Sequence, residues 1–131
     1  MNYHDLYVAF VYYFNIEKDY FECHEVMEEL WMEDGRNPFW QGLLQVAVGL
    51  YHHENDNLSG AIKLLTQSLD KLADKQQIEC GADIALLYRN AESYLNRLLV
   101  EGNFPFAPFA LKITDDKLEH LASQYVPHHE E

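Results

Sequence analysis

Apolar residues recur along this chain at steps of three and four, the spacing that lines one face of a helix. Leu6, Phe10, Tyr13 and Phe14 predict a first helix from Tyr3 to about Asn15. A second is expected from about Lys18 to Glu33, stopping where Asp34-Gly35-Arg36-Asn37-Pro38 supplies a glycine C-cap and an Asn-Pro turn. Pro38 can open a third helix at its first position, where a missing N–H costs nothing. That helix, running to about His53, carries Phe39, Trp40, Leu43, Leu44, Val46, Ala47, Val48 and Leu50 on nearly every side, so it is expected to be the buried centre.

Glu54-Asn55-Asp56-Asn57 reads as a turn and N-cap cluster. Leu58, Ala61, Ile62, Leu65, Leu69 and Leu72 then give an amphipathic fourth helix, and a fifth is expected from Gly81 to Val100, closing at Gly102-Asn103. Pro105 and Pro108 bar a helix through Phe104 to Phe109, and those three phenylalanines are expected to pack back on the bundle. A short sixth helix is expected from Asp115 to Gln124. The pattern predicts an all-α, single-domain bundle of five to six helices over residues 1–125, with antiparallel hairpins around the third helix and a disordered tail at 126–131.

The polar exceptions are as informative as the stripes. At ~100° per residue, Glu22, Glu25, Glu29 and Glu33 share one face of the second helix, an ordinary solvated face, while His24 and Glu28 fall with Tyr20, Met27 and Trp31. On the third helix Gln41, Gln45 and His52 lie within a narrow arc, with Gly42 and Gly49 beside them. Consecutive helices joined by a short turn pack antiparallel, so the two polar lines are expected to face each other and to form a buried pocket of two imidazoles, one carboxylate and two carboxamides. Two interior glycines on one face imply close approach by another backbone or a ligand.

Imidazole with carboxylate suits a divalent metal such as zinc, manganese, iron or nickel, and equally suits general acid–base work. In that reading His24, Glu28 and His52 would be metal ligands, and His24 and Glu28 the catalytic pair of a hydrolytic site. Gln41, Gln45, Trp31 and Tyr20 would bind the ligand. The competing reading is a satisfied polar network tying the second and third helices together with no ligand at all. His24-Glu25-x-x-Glu28 is a poor zinc-protease signal, because the second histidine is replaced and Glu25 points ~100° from His24. His4, His53 and His120 have no such company and are expected at the surface or near caps. The pair His128 and His129 is expected to be a solvated end.

Charge narrows the partners. With 22 acidic against 9 basic residues the formal net charge is −13, a field that repels phosphate backbones and anionic membrane surfaces, so nucleic acid and membrane are not expected. A cationic ligand or a metal ion is compatible with it. Cys23 and Cys80 lack any disulfide or zinc spacing and read as small hydrophobes. No signal-like N-terminus or apolar run of ~18 residues occurs, which gives a cytoplasmic expectation. A homodimer is the natural oligomeric guess, since Trp40, Tyr51 and Tyr12 could line either the core or a self-association face.

Phe14-Asn15, Tyr20-Phe21-Glu22-x-His24-Glu25-x-x-Glu28-x-x-Trp31, Phe39-x-Gln41-Gly42-Leu43-x-Gln45-x-Ala47, Tyr51-His52 and Asn57-x-x-Gly60-Ala61-x-x-Leu64-Leu65 together resemble the small helical family catalogued as domain of unknown function 309, over about residues 10 to 72. The resemblance implies a cytoplasmic multihelical protein of prokaryotic or plastid-lineage type and carries no activity with it. It leaves two functional readings: the metal or small-ligand site above, or a non-catalytic interaction module. The second would use the acidic surface or exposed Phe104, Phe106 and Phe109 to meet a protein partner.

Overall fold

The computed structural model describes residues 2–127. Six α-helices run in order: α1 (Asp5–Val11), α2 (Tyr20–Glu33), α3 (Pro38–Glu54), α4 (Leu58–Leu72), α5 (Ile84–Glu101) and α6 (Asp116–Ser123). A π-helical segment, Tyr12–Glu17, continues α1. The described residues therefore form the all-α bundle that the periodicity predicts. The last four residues of the expected tail, and with them the His128–His129 pair, lie outside the described residues.

Most boundaries follow from side-chain caps. Asp19, Asn37, Asn57, Asp83 and Asp115 each accept from a backbone N–H in the first turn of α2 to α6, which satisfies donors that have no partner within the helix. Asp83 explains why α5 begins at Ile84 and not at Gly81. Gly81 has φ +74° and a neighbour at Ala82, which pairs with Ile113 in an isolated antiparallel bridge. A Cβ at Gly81 would collide with the Tyr3 hydroxyl, so this turn requires glycine.

Short turns fold α2, α3 and α4 into successive hairpins, and α3 packs against α2 on one side and α4 on the other. Tyr7 and Phe10 of α1, Phe14 of the π-helical segment and Tyr20, Met27 and Leu30 of α2, with Leu43 and Leu50 of α3, are among the largest fully buried side chains. Tyr12, Trp40 and Tyr51 are half-buried against this core. No helix of the described residues is long and apolar enough to cross a membrane.

The two glycines of α3 serve α4. A Cβ at Gly42 would lie 2.7 Å from the Leu72 side chain, and one at Gly49 would lie 2.8 Å from that of Leu65. Both leucines are fully buried. Gly49→Ala gains ~0.5–1 kcal/mol of helix propensity, but overpacking a filled core costs about 1–3 kcal/mol, and the new Cβ presses on the Leu65 branch point, not only on its tip. Chemical denaturation should show a net loss of about 1 kcal/mol for Gly49→Ala. A stabilised variant would mean that α4 can slide.

The segment after α5 packs inward. Phe104 is buried, and Phe106 and Phe109 are half-buried against the core. Phe104 and Phe106 pack on His53, which is 2% exposed in the structure and not at the surface as its sequence position implied. His53 Nε2 lies 2.8 Å from the Phe104 carbonyl and Nδ1 lies 2.5 Å from the Tyr94 hydroxyl. A carbonyl can only accept, so Nε2 carries the proton and Nδ1 accepts from Tyr94.

Candidate functional site

Asp19 starts α2 so that Tyr20 and Phe21 fill its first turn, with His24 one turn later on the side facing the C-terminal end of α3. There Val48, Tyr51 and His52 follow at helical spacing. These six side chains line a half-open cavity of about 190 Å³ whose wall is almost wholly carbon. Four of the rings form a curved wall. Ring centroids are 6.2 Å apart for His24 and Phe21, 5.9 Å for Phe21 and Tyr51, and 6.1 Å for Tyr51 and His52, each ring tilted by 48–57° to the next.

The orientation of His52 is set from α4. Asn57 Oδ1 is occupied as the N-cap acceptor for the Gly60 N–H at 3.0 Å, so its Nδ2 is the group that faces His52 Nδ1 at 3.2 Å. Nδ2 can only donate; His52 Nδ1 therefore accepts, and the ring proton of the neutral imidazole is on Nε2. Gly60 permits the approach, since a Cβ there would stand 2.9 Å from His52 Cγ.

His24 sits at the rim between two carboxylates. Its Nε2 is 3.2 Å from Glu28 Oε2, and its Nδ1 is 3.5 Å from Glu25 Oε1. Glu25 thus folds back toward the ring that the helical wheel placed it away from. The Glu28 side chain is 52% exposed and that of His24 34%. Glu28 is therefore not the buried carboxylate predicted from the wheel: its Cβ lies beside the stripe, but the long side chain reaches outward to water.

Tyr20 is buried beneath this rim, edge-on to Phe14 and Phe106. Its hydroxyl has no hydrogen-bond partner among the described residues, and burial pushes the phenol well above its ordinary range, so it stays protonated. An unpaired buried hydroxyl is costly and needs an explanation.

A larger open groove of about 620 Å³ lies between α1 and α6, lined by residues including Tyr3, Leu6, Lys117 and Tyr125. The smaller cavity is the better candidate because every residue lining it falls in the segment that is similar to known proteins. Residues 7–64 match the family model described as Domain of unknown function (DUF309). The chain is also 36% identical over 118 residues to a Bacillus subtilis (strain 168) protein named Uncharacterized protein YpuF, spanning 86% of this chain and 67% of that relative. This chain belongs to the DUF309 family. No solved structure gives a significant match.

Within the DUF309 segment the predicted residues divide. Tyr20, His24 and His52 line the cavity and Glu28 reaches its rim through His24. Trp31, Gln41 and Gln45 do not line it. Gln45 is buried against α4, donating to Gln67 Oε1 at 3.2 Å, with its own Oε1 unpaired among the described residues. Trp31 is half-buried beneath the Arg36 guanidinium, 5.2 Å from the ring centroid, with Nε1 unpaired among the described residues. The expected pocket of facing imidazoles and carboxamides is therefore not a single cavity. Among the described residues, no group of three or more His, Cys, Asp or Glu stands close enough together to hold a metal ion.

Phe21, Val48 and Tyr51 were missed by sequence reasoning. The signal was present: Phe21 is three residues before His24, and Val48 is three and four before Tyr51 and His52, the spacings at which helical side chains touch.

Proposed function

We propose that the DUF309 domain of this protein binds a compact small-molecule group in the cavity between α2 and α3, with Tyr20, Phe21, His24, Val48, Tyr51 and His52 as its walls. The observation that carries this reading is the cavity itself: concave, carbon-walled, and ringed by aromatic and imidazole side chains. Drug-sized ligands occupy sites of ~300–1,000 Å³. At about 190 Å³ this one takes a head group or side-chain-sized moiety, the remainder of the ligand lying across the rim.

Glu28 and His24 are the groups with proton-transfer capacity at the rim, and they would orient the part of the ligand that projects from the cavity. Metal binding by His24, Glu28 and His52 would require His52 to turn from Asn57, since its Nδ1 lone pair is engaged there and Nε2 carries the proton.

A fragment screen read by protein amide chemical shifts tests the proposal. Hits should move the resonances of residues 20–24 and 48–52, and Val48→Phe, which fills the cavity, should weaken them by about tenfold or more, equivalent to ~1.4 kcal/mol, with the thermal midpoint unchanged. Fragments that bind Val48→Phe as tightly as the natural protein would place the site elsewhere.

A further inference from the structure

Resting on the small-ligand reading, we propose that the group this cavity takes is a methylated ammonium, the head group of a quaternary amine. Three features of the site converge on that chemistry.

The wall supplies faces and edges of rings and almost no hydrogen-bonding surface. His24, Phe21, Tyr51 and His52 follow one another at about 6 Å with successive tilts near 50°, so a group in the cavity meets several rings at once. A cation within ~6 Å of a ring centroid is attracted by the negative face of the π system. A primary ammonium or a guanidinium entering a carbon-walled space would leave its N–H donors without acceptors, a heavy desolvation cost. A methylated ammonium carries the charge and has no N–H to satisfy, so it alone among common biological cations loses no hydrogen bond here.

The rim supplies the opposite charge. Glu25 and Glu28 lie against the two nitrogens of His24. Even with His24 protonated, its two flanking carboxylates leave the rim net negative. His52 accepts from the Asn57 amide at Nδ1. The molecule as a whole, at −13, attracts a cation over longer range.

Phe21 supplies the lip. It is 48% exposed on the first turn of α2 although it is a large apolar ring, and it links the two halves of the curved wall by contacting both His24 and Tyr51. An aromatic ring held at the mouth of a cavity covers an entering cation at little cost to folding when it is removed.

The test is a titration of the full chain with choline and with its neutral carbon isostere, in which the quaternary nitrogen is replaced by carbon. Amide chemical shifts of residues 20–24 and 48–52 are the readout. Choline should bind more tightly than the isostere. Phe21→Leu, which keeps apolar bulk and removes the ring, should weaken choline by roughly 5- to 30-fold and the isostere little. Glu28→Gln should also weaken choline alone, and added salt should do the same. A short peptide carrying trimethyllysine, titrated in parallel, shows whether the head group arrives on a free metabolite or on a protein side chain, since the natural source binds more tightly.

Equal binding of choline and the isostere would overturn the ammonium assignment while leaving the small-ligand reading standing. Failure of both probes to move those resonances, while other fragments move them, would overturn the ammonium assignment alone. No fragment moving them would overturn both.

Discussion

Replacing His53 with alanine is expected to destabilise the protein by about 3–5 kcal/mol, as measured by urea unfolding. Two losses combine. The imidazole fills space among Tyr94, Phe104 and Phe106, with ring centroids at 5.4, 4.7 and 5.7 Å, and its removal opens a cavity in a packed aromatic cluster. The Phe104 carbonyl and the Tyr94 hydroxyl also lose their partner. An unpaired buried group costs about 1–3 kcal/mol, more than the bond contributed while it was made. His53→Phe separates the two losses, since it keeps a ring and removes both bonds, and it should cost about 2 kcal/mol. A loss below about 1 kcal/mol for His53→Ala would show that the segment after α5 is not held by this residue. Proteolysis should report the same change locally, because with His53 gone the chain beyond Phe104 loses its anchor to α3.

His53 also shows where sequence reasoning stops. The helices were legible because their signals are local: three- and four-residue periodicity, the Asn37-Pro38 turn with Pro38 at a helix start, the N-cap cluster ending at Asn57, proline after α5. The partners of His53 are 41 and 51 residues away, on α5 and in an irregular segment, and no local pattern announces them. Its position in the last turn of α3, beside His52, reads as solvated. Gln45 presents the same difficulty. The wheel assigned it correctly to the His52 arc, but a wheel gives a direction and not a neighbour, and the neighbour is Gln67 of α4 and not α2. Glu28 was misread for another reason: a side chain at the edge of an apolar stripe has enough length to leave it. The cavity was half legible, through Tyr20, His24 and His52. Its apolar members were absorbed into the expected core, because periodicity does not distinguish a ring that packs against another helix from one that borders a void.

Asn15→Ala is expected to cost about 2–4 kcal/mol in the same unfolding measurement. The Asn15 side chain pairs with the main chain of Leu111 as a neighbouring strand would: Nδ2 donates to the Leu111 carbonyl at 2.8 Å, and Oδ1 accepts from the Leu111 N–H at 2.8 Å. Leu111 is buried, whereas the adjoining backbone bonds of this irregular segment, Asp83 N–H to Lys112 and Thr114 N–H to Gly81, serve other residues. Alanine therefore strands one donor and one acceptor together. Asn15→Asp distinguishes this account from a loss of packing. Its carboxylate still accepts from the Leu111 N–H but opposes the carbonyl oxygen, so the folded state disfavours the charged form and raises its pKa above the ordinary carboxyl value of ~3.9. A group raised in the folded state contributes stability below its unfolded pKa and loses it as pH rises. Asn15→Asp should therefore approach the stability of the natural protein, measured at the same pH, as the pH falls through that range and diverge from it at neutral pH. A penalty for Asn15→Asp that does not change with pH would mean that water, and not the carbonyl of Leu111, faces the second oxygen.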